Sequence, residues 1–422
     1  MPGHKGQGIL GIEPFDITEI SGADVLYSPS GIILESENNA SSLFGTEHTY
    51  YSAEGSTLAI KAMLAIAMRS SKSERPRVLA ARNVHKAFVY AAALLDFGIE
   101  WLIPESQSHI ASGIATPCQI KRALAETKEL PFAVYITSPD YLGVMADIEG
   151  ISAVCREYGV PLLVDNAHGA YLSFLDEKCH PIKLGAAMCC DSAHKTLPVL
   201  TGGAYLHISG DYSDFAVNAR DMLSLFASTS PSYPILASLD LCNKYIAESL
   251  RDDLRKTYDK VLRIKARLSE LGFSPEESEP LKIVIKASEY GYTGYDIAEV
   301  LRTYGCECEL ADREYLVLMI TPENKLSDFE ALISAFEHIA PKTAFAEEKL
   351  SLPKPQSVLS IREAIFAPSE EIAVADSVGR ILSQPSVSCP PAVPIAVCGE
   401  RITDTTVKLF AFYGIEKVSV IK

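Results

Sequence analysis

Short apolar runs alternate with longer stretches of helical character through the first half of the chain. Three runs are short and almost wholly apolar, as buried strands are, and lie at 77–80, 133–137 and 160–165. Strong helix formers fill three neighbouring stretches, at 56–68, 85–95 and 147–158. Continuous apolar strands separated by helices are typical of a parallel sheet covered on both faces. The pattern therefore predicts an α/β fold with a mainly parallel sheet.

Composition divides the 422 residues into four parts. Residues 1–40, rich in Gly, Pro and Ser, are predicted to form an irregular N-terminal arm, and 41–275 a large domain. A charged helical section from 235 to about 271 ends at a Gly-Phe-Ser-Pro break. Alternating strand and helix patterns predict a smaller α+β domain over 276–340. A linker bearing Lys, Pro and Glu and a short C-terminal module make up 341–422.

The charge balance narrows the classes of partner. The chain carries 38 Lys and Arg against 54 Asp and Glu, a net charge of −16, whereas nucleic acids and anionic membranes require a basic face. No window approaches the ~18 apolar residues that a membrane span requires, and the first residues lack a signal-peptide pattern. Ten cysteines follow neither a zinc nor a disulfide spacing. We expect a soluble cytoplasmic protein with reduced thiols, no metal, and no nucleic-acid or membrane partner.

A lysine and an aspartate carry the candidate chemistry. Lys195 lies in a Ser-x-His-Lys-Thr cluster between apolar segments, 30 residues after a strand that ends at Asp165. The carboxyl edge of a parallel strand is where α/β sheets bind ligands. A lysine that forms a Schiff base and a carboxylate that holds a pyridine nitrogen protonated are what pyridoxal phosphate requires. A lone lysine is usually a solvated surface residue, so the prediction depends on the combination of Lys195 with Asp165.

A possible phosphate cradle precedes both residues. Glu54-Gly55-Ser56-Thr57 opens a predicted helix, where glycine lets the backbone approach an anion and hydroxyl and N–H groups face it. Ser192 and His194, which flank the lysine, complete this set. Alone, a Gly-Ser-Thr sequence is more often a helix cap without a ligand. Cradle, aspartate and lysine in this order along the chain favour a cofactor site.

Six ordered segments resemble the ornithine/lysine/arginine decarboxylase family, at 1–6, 16–19, 82–86, 137–141, 165–170 and 192–196. Three more are similar to its Ser-rich segment and its C-terminal signature, at 228–233, 390–394 and 399–402. The resemblance covers essentially the whole chain and fits the compact form without a response-regulator-like domain. It implies the aspartate-aminotransferase fold (fold type I), with 41–275 as the domain that binds pyridoxal 5'-phosphate.

The resemblance also implies roles for individual residues. Lys195 would carry the cofactor, Asp165 would pair with its pyridine nitrogen, and His85 would stack on its ring. Ala167 or His168 would lie against the opposite face. The residues implied for the phosphate are Gly55, Ser56, Thr57, Ser192 and His194, with Ser230 reaching the phosphate of a neighbouring subunit. Sites of this fold usually lie at a dimer interface, so a homodimer or higher homo-oligomer is expected.

The implied reaction is decarboxylation of arginine, lysine or ornithine to an amine used in polyamine biosynthesis. Lys195 or His168 would return a proton to the substrate carbon. A carboxylate should recognise the substrate's distal cation. Glu19, Glu35 and Glu400 lie in or near the motifs and are candidates, although a solvated surface carboxylate also explains each one.

Decarboxylation is the first of three hypotheses that stay open. An aminotransferase or another enzyme of this fold is possible, because one fold hosts many chemistries, and oxidative decarboxylation belongs to this group. Transamination normally needs an arginine clamp, but Arg302 and Arg313, the arginines of 276–340, lie in no such motif. A catalytically silent binding or regulatory protein is the third, against which the intact site residues argue. Glu54, where the family usually has Asn, leaves the phosphate geometry open.

Overall fold

The computed structural model describes residues 2–103, 112–345, 352–389 and 393–422. Seven of its strands form one sheet in the order β1-β7-β6-β5-β4-β2-β3. They are β1 His48–Ser52, β2 Arg77–Ala81, β3 Gly98–Leu102, β4 Ala133–Thr137, β5 Leu162–Asp165, β6 Met188–Asp191 and β7 Ala204–Ile208. Only β7, among these strands, runs antiparallel to its neighbours. The predicted mainly parallel sheet is confirmed.

Helices cover both faces of this large sheet. They are α1 Ile32–Phe44, α2 Gly55–Arg69, α3 Lys86–Leu95, α4 Pro117–Glu126, α5 Ile148–Tyr158, α6 Ala193–Thr196 and α7 Ala219–Phe226. On one face α2, α3 and α7 bury their apolar side chains against the strands. On the other face α4 and α5 do the same. The central strands are therefore removed from water on both sides, which explains why they lack polar alternation.

Two strand ends meet at the carboxyl edge of the sheet. In the parallel register Thr137 lies beside Asp165, and Asp165 lies beside Cys190. Asp165 is the last residue of β5, and β6 ends at Asp191, four residues before Lys195. Since parallel strands end on the same side, the segments that follow β5 and β6 leave the sheet together.

A long helical section joins the large sheet to a smaller one. It consists of α8 Tyr233–Tyr245, a π-helical turn Ile246–Leu250 and α9 Arg251–Glu270, where the sequence predicted one helix from 235 to 271. The small sheet has the order β8-β10-β9, with β8 Lys282–Lys286, β9 Leu310–Ala311 and β10 Tyr315–Met319. Helices α10 Gly294–Thr303 and α11 Leu326–Glu337 pack with α9 on one of its faces.

The C-terminal part packs against the other face of the small sheet. Its elements are α12 Ile361–Phe366, β11 Ser369–Ala373, β12 Ser386–Cys389, β13 Val393–Val397, α13 Asp404–Phe412 and β14 Lys417–Ile421. β11 pairs with β14 and β12 with β13, both antiparallel. Residues 390–392 of the C-terminal signature and Met1 of the first motif lie outside the described residues.

The prediction of an irregular arm over residues 1–40 is wrong from Ile32 onward. The sequence IILESENNASSLF forms α1, which ends at Gly45 in the left-handed conformation. Tertiary contacts hold this helix: Glu37 of α1 binds Arg220 of α7, and α1 buries Ile33, Ala40 and Phe44.

None of the helices in the described part of the chain is long and apolar enough to cross a bilayer.

Candidate active site

A cleft at the carboxyl edge of the large sheet brings most of the predicted catalytic residues together. It contains about 400 Å³ of space outside protein atoms. Its described walls come from the segments that follow β1, β2, β4, β5 and β6, and include Ser56, His85, Thr137, Pro139, Asp140, Tyr141, Asp165, Ala167, His168 and Lys195. All four predicted catalytic residues, at positions 85, 165, 168 and 195, are therefore in one cleft.

Lys195 is presented by α6, a single turn that follows β6 directly. Its amine lies 2.8 Å from Nε2 of His168. Burial lowers the pKa of Lys195 below its ordinary value, and the nearby Asp165 carboxylate opposes that shift. A lowered pKa increases the fraction of neutral amine, which is the nucleophilic form.

Asp165 ends β5 with its side chain 98% buried. Tyr135 donates its hydroxyl to Oδ2 at 3.3 Å, and the backbone N–H of Ala167 donates to Oδ1 at 3.2 Å. The Sγ of Cys190 lies 3.6 Å from Oδ1. These three donors hold the carboxylate in one orientation at the floor of the cleft.

His85 caps α3, accepting a hydrogen bond at Nδ1 from the N–H of Ala87 at 3.2 Å. The alternative considered for this residue, a helix-start histidine, therefore describes its local role, yet its ring also lines the cleft. Burial lowers its pKa, with the Asp165 carboxylate opposing the shift. The imidazole is thus favoured in its neutral form beside the space that Lys195 faces.

His168 lies between two lysines. Its Nε2 is 2.8 Å from Lys195, and its Nδ1 is 2.8 Å from Nζ of Lys282, which belongs to β8 of the small sheet. The ring of Tyr141 packs edge-on against it, with centroids 5.3 Å apart. Burial, followed by the positive charges of Lys282 and Lys195, holds the pKa of His168 well below its usual range.

The small sheet also supplies a carboxylate that the sequence analysis missed. Glu309 precedes β9, and its Oε1 lies 4.0 Å from Nε2 of His168. Its charge, like that of Asp165, opposes the lowering of the Lys195 pKa by burial. With 35% of its side chain exposed, Glu309 stands where solvent reaches this part of the site.

The predicted phosphate residues gather at the start of α2. Ser192 donates its hydroxyl to Ser56 at 2.8 Å, and Gly55 takes a φ of +71° at the first position of the helix. Thr57 lies in the same first turn. His194 directs Nδ1 to the carbonyl of Gly203 at 2.9 Å. The first turn of a 15-residue helix offers free N–H groups and a positive dipole end beside two hydroxyls.

The Glu54 carboxylate is not an unpaired charge beside this cradle. Its Oε1 accepts a hydrogen bond from the N–H of Ser228 at 2.6 Å, which ties α2 to the Ser-rich segment. Ser230, two residues further, is exposed, and its backbone N–H donates a hydrogen bond to Ser228 Oγ. Its predicted contact with a neighbouring subunit stays a prediction.

The structure corrects the candidates for recognition of a distal cation. Glu400 is bound by Arg82 through two hydrogen bonds of 2.7 and 2.8 Å, and both side chains are buried. It therefore serves a structural ion pair between the large sheet and the C-terminal part. Glu19 and Glu35 are exposed on the N-terminal part, in agreement with the alternative of a solvated surface carboxylate.

The two arginines considered for an aminotransferase clamp have other partners. Arg302 pairs with Glu307 at 3.1 Å on the surface, and the guanidinium of Arg313 lies over the ring of Phe412 at 4.9 Å. Neither is among the described residues that line the cleft. The structure thus gives no support for an α-carboxylate clamp in the part of the small sheet that it describes.

A buried network braces the two strand ends. Asp191 accepts hydrogen bonds from Nε2 of His180 and of His207 at 3.0 and 3.2 Å, and from the amide of Asn166 at 2.7 Å. Burial would raise the pKa of Asp191, yet the two histidines hold it below its usual value. Asn166 follows Asp165, so this network ties the Asp165 segment to the Lys195 segment.

A lysine amine facing a buried carboxylate at the carboxyl edge of a seven-stranded sheet is the arrangement of fold type I enzymes. In agreement, the fold matches the constitutive lysine decarboxylase of Escherichia coli with a TM-score of 0.79 at 18% identity, covering 100% of this chain and 79% of that one. Serine palmitoyltransferase of Sphingomonas wittichii matches with a TM-score of 0.55 at 16% identity, covering 72% and 75%. The predicted fold class is confirmed.

The family follows from sequence similarity. Residues 6–285 match the model of the major domain of the Orn/Lys/Arg decarboxylases, and the chain belongs to that family. It is 30% identical to an arginine decarboxylase of Bacillus subtilis, covering 96% of this chain and 88% of the relative. It is 28% identical to an arginine decarboxylase of Bacillus anthracis, covering 96% and 87%. The predicted family and its enzyme class, amino-acid decarboxylases of fold type I, are confirmed.

Proposed function

We propose that the protein decarboxylates a basic amino acid with pyridoxal 5'-phosphate as cofactor. The observation that carries this proposal is the single cleft in which the Lys195 amine, the oriented Asp165 carboxylate and the flat ring of His85 face one another. Two hydroxyls and a helix N-terminus stand at one end of that cleft. This donor set fits an aldehyde, a pyridine nitrogen and a phosphate.

The cofactor, when bound, supplies an aldehyde that captures amines and a ring that accepts electrons. The residues of this chain hold and orient the cofactor and supply the proton. Lys195 provides the amine that holds the cofactor, and Asp165 holds a proton on the ring nitrogen with a carboxylate fixed by Tyr135 and Ala167. Ser56 and Ser192 donate to phosphate. His168 lies within 2.8 Å of the Lys195 amine, close enough to deliver a proton to a substrate carbon there.

For the substrate we propose L-arginine, because three Bacillus relatives at 28–30% identity and one of Halalkalibacterium halodurans at 27% are named arginine decarboxylases. Glu309 is the carboxylate that we assign to the distal cation. A guanidinium can donate two parallel hydrogen bonds to a carboxylate, which gives both affinity and orientation. Its position beside His168 and its partial exposure agree with a role at the mouth of the cleft.

We also propose a homodimer in the cytoplasm. Large apolar side chains of the N-terminal part lie exposed, among them Ile9, Leu10 and Phe15. Such a concentration of exposed apolar residues marks an interaction surface. Sedimentation analysis should show a dimer or a higher oligomer, and a monomer at all concentrations would contradict this part of the proposal.

Release of carbon dioxide from arginine, lysine and ornithine tests the function directly. We expect turnover of arginine above the other two by purified protein that absorbs visible light through its cofactor. A colourless protein that cannot be reconstituted would overturn the cofactor assignment. Bound cofactor without turnover of any amino acid would support the silent binding protein, and formation of a keto acid would support an aminotransferase.

A further inference from the structure

Lys282 has no role in the site as the sequence analysis built it. It begins β8 in the small sheet, and its side chain is 1% exposed. Its Nζ lies 2.8 Å from Nδ1 of His168, on the opposite side of the ring from Lys195. A histidine whose two nitrogens each face a lysine is constrained in where its proton resides.

The partners of Lys282 are of the kind that an ammonium ion takes. Glu279 Oε1 lies 2.7 Å from Nζ, the carbonyl of Asp140 lies at 3.2 Å, and Nδ1 of His168 is the third partner. An ammonium has three N–H donors and no acceptor; Lys282 directs two of them to the Asp140 carbonyl and to Nδ1 of His168 and forms an ion pair with Glu279. Glu279 is also buried and receives the hydroxyl of Tyr171 at 2.8 Å, which fixes its position.

This arrangement determines the tautomer of His168. Nδ1 accepts from Lys282, so a neutral ring must carry its proton on Nε2. The ring is neutral because burial and the adjacent lysine charges lower its pKa. The Nε2–H then points at the Lys195 nitrogen, which accepts it as a neutral amine.

We propose that Lys282 is a positioning residue that holds His168 in the neutral Nε2–H form and thereby presents a proton to the reacting side of the cleft. The proposal deepens the proposed function and rests on it for the identity of the proton acceptor. Lys282 acts through His168 and does not itself reach the cleft among the described wall residues.

In this proton transfer the imidazole ring of His168 loses one proton and gains another, so it stays uncharged. The Nε2–H bond breaks as its proton joins the substrate carbon, whose electron pair, left by carbon dioxide, forms the new C–H bond. At the same time Nδ1 takes a proton from the Lys282 ammonium, so the imidazole stays neutral and Lys282 becomes an amine. Decarboxylation consumes one proton overall, and solvent replaces it.

Other groups facing His168 do not alter this assignment. Lys195 and Lys282 flank its nitrogens, His85 adds to the lowering of its pKa, and the Tyr141 ring packs edge-on. The Glu309 carboxylate lies 4.0 Å from Nε2 and therefore also favours a proton on that nitrogen. Both charged partners of the ring thus favour the same tautomer.

Nitrogen-15 NMR of the full chain labelled in histidine tests the proposal. His168→Gln assigns the signal, and spectra are taken of the cofactor-free and the cofactor-loaded protein at neutral pH. We expect Nε2 protonated and Nδ1 unprotonated. Lys282→Arg should preserve this pattern, whereas Lys282→Met should give mixed tautomers or an Nδ1–H ring. Lys286→Met, on the same strand, serves as the control and should leave the signal unchanged.

Lys282→Met leaves the buried Glu279 without its partner, so the double variant Lys282→Met/Glu279→Gln is measured beside it. In either folded variant we expect kcat to fall ~10²-fold, since general acid catalysis contributes that much or more, with KM within about twofold. An Nδ1–H ring in the native protein, or an unchanged tautomer in the double variant, overturns the proposal. If only the proposed function were wrong, the result would differ: the Nε2–H signal would be present, but no carbon dioxide would be released.

Discussion

The two walls of the cleft differ in how they are built. The large-sheet wall consists of His85, Asp165 and Lys195, which follow or end the strands β2, β5 and β6 of one parallel sheet. We call Lys282 and Glu309, from β8 and the residue before β9, the small-sheet wall because they lie next to His168, although neither is among the described residues that line the cleft itself. Strand ends of one sheet meet by topology alone, whereas the second wall depends on how two sheets pack.

This difference suggests that the two walls have different functions. The large-sheet wall carries the groups that a cofactor needs, and their removal should abolish chemistry. In our proposals the charges of the small-sheet wall set the protonation of His168 and bind the substrate, so removal of these charges should change proton transfer and selectivity. Variants in the two walls should therefore separate in kcat, KM and spectrum.

The largest effect is expected for Lys195→Ala. Without the amine the cofactor has no covalent anchor, and we expect loss of the visible absorbance together with a fall in kcat of more than ~10³-fold, as for other nucleophile deletions. Absorption spectra and carbon dioxide release measure both. The exposed Lys178→Ala is the matched control, and retention of the native spectrum by Lys195→Ala would contradict the assignment.

Asp165→Asn should have the next largest effect. The amide keeps the size of the side chain but loses the charge that holds a proton on the ring nitrogen, so kcat should fall ~10²–10³-fold, as when one electrostatic contact to a transition state is removed. The cofactor should still bind through Lys195. Tyr135→Phe removes one donor to the same carboxylate and should cost less than Asp165→Asn. Equal activity of Asp165→Asn and the native protein would refute the role.

Glu309→Gln should act mainly on the substrate. A hydrogen bond to a charged group contributes about 1.5–3 kcal/mol, so kcat/KM for arginine should fall ~10-fold or more, chiefly through KM. Glu307→Gln, two residues away and paired with Arg302 on the surface, is the control and should leave KM unchanged. If both variants behave alike, the distal cation is recognised elsewhere.

The smallest effect concerns stability and pH. Burial raises the pKa of Asp140 from 3.8 to about 6. An acid whose pKa is higher in the folded state stabilises the protein below its unfolded pKa, and this contribution is lost as pH rises through 6. Asp140→Asn removes the charge, so its melting temperature should gain on the native protein by a few degrees at pH 8 and by less at pH 5. An equal difference at both pH values would contradict the raised pKa.

The sequence-based expectations succeed where chemistry sits on regular strands. The apolar runs at 133–137 and 160–165 predicted the central strands to within two residues, and the position of Asp165 at a strand end predicted its place at the edge of the sheet. Asn166 and Asp191 then tie that end to the Lys195 segment. Local pattern and parallel topology were enough here.

The expectations fail where a role depends on distant partners. Glu400 belongs to a family-like motif, but 318 residues separate it from the Arg82 that binds it. Helix α1 lies in a segment of unremarkable propensity and is stabilised by contacts such as that of Glu37 with Arg220. A signal for Lys282 was present, since a charged residue begins an otherwise apolar strand, with Glu279 three positions before it. Its partner His168 is 114 residues away, so the sequence around Lys282 gives no indication of their contact.

The amino-acid sequence by itself determined the layered α/β architecture, the family, and the pairing of Lys195 with Asp165, because strand periodicity and the shared direction of parallel strands are local or topological properties. The tertiary structure alone decided which charged side chains, Lys282 and Glu309 among them, surround His168. Those depend on the packing of the small sheet against the large one, and electrostatic interactions are set by distance and burial in space, which separation along the chain does not encode.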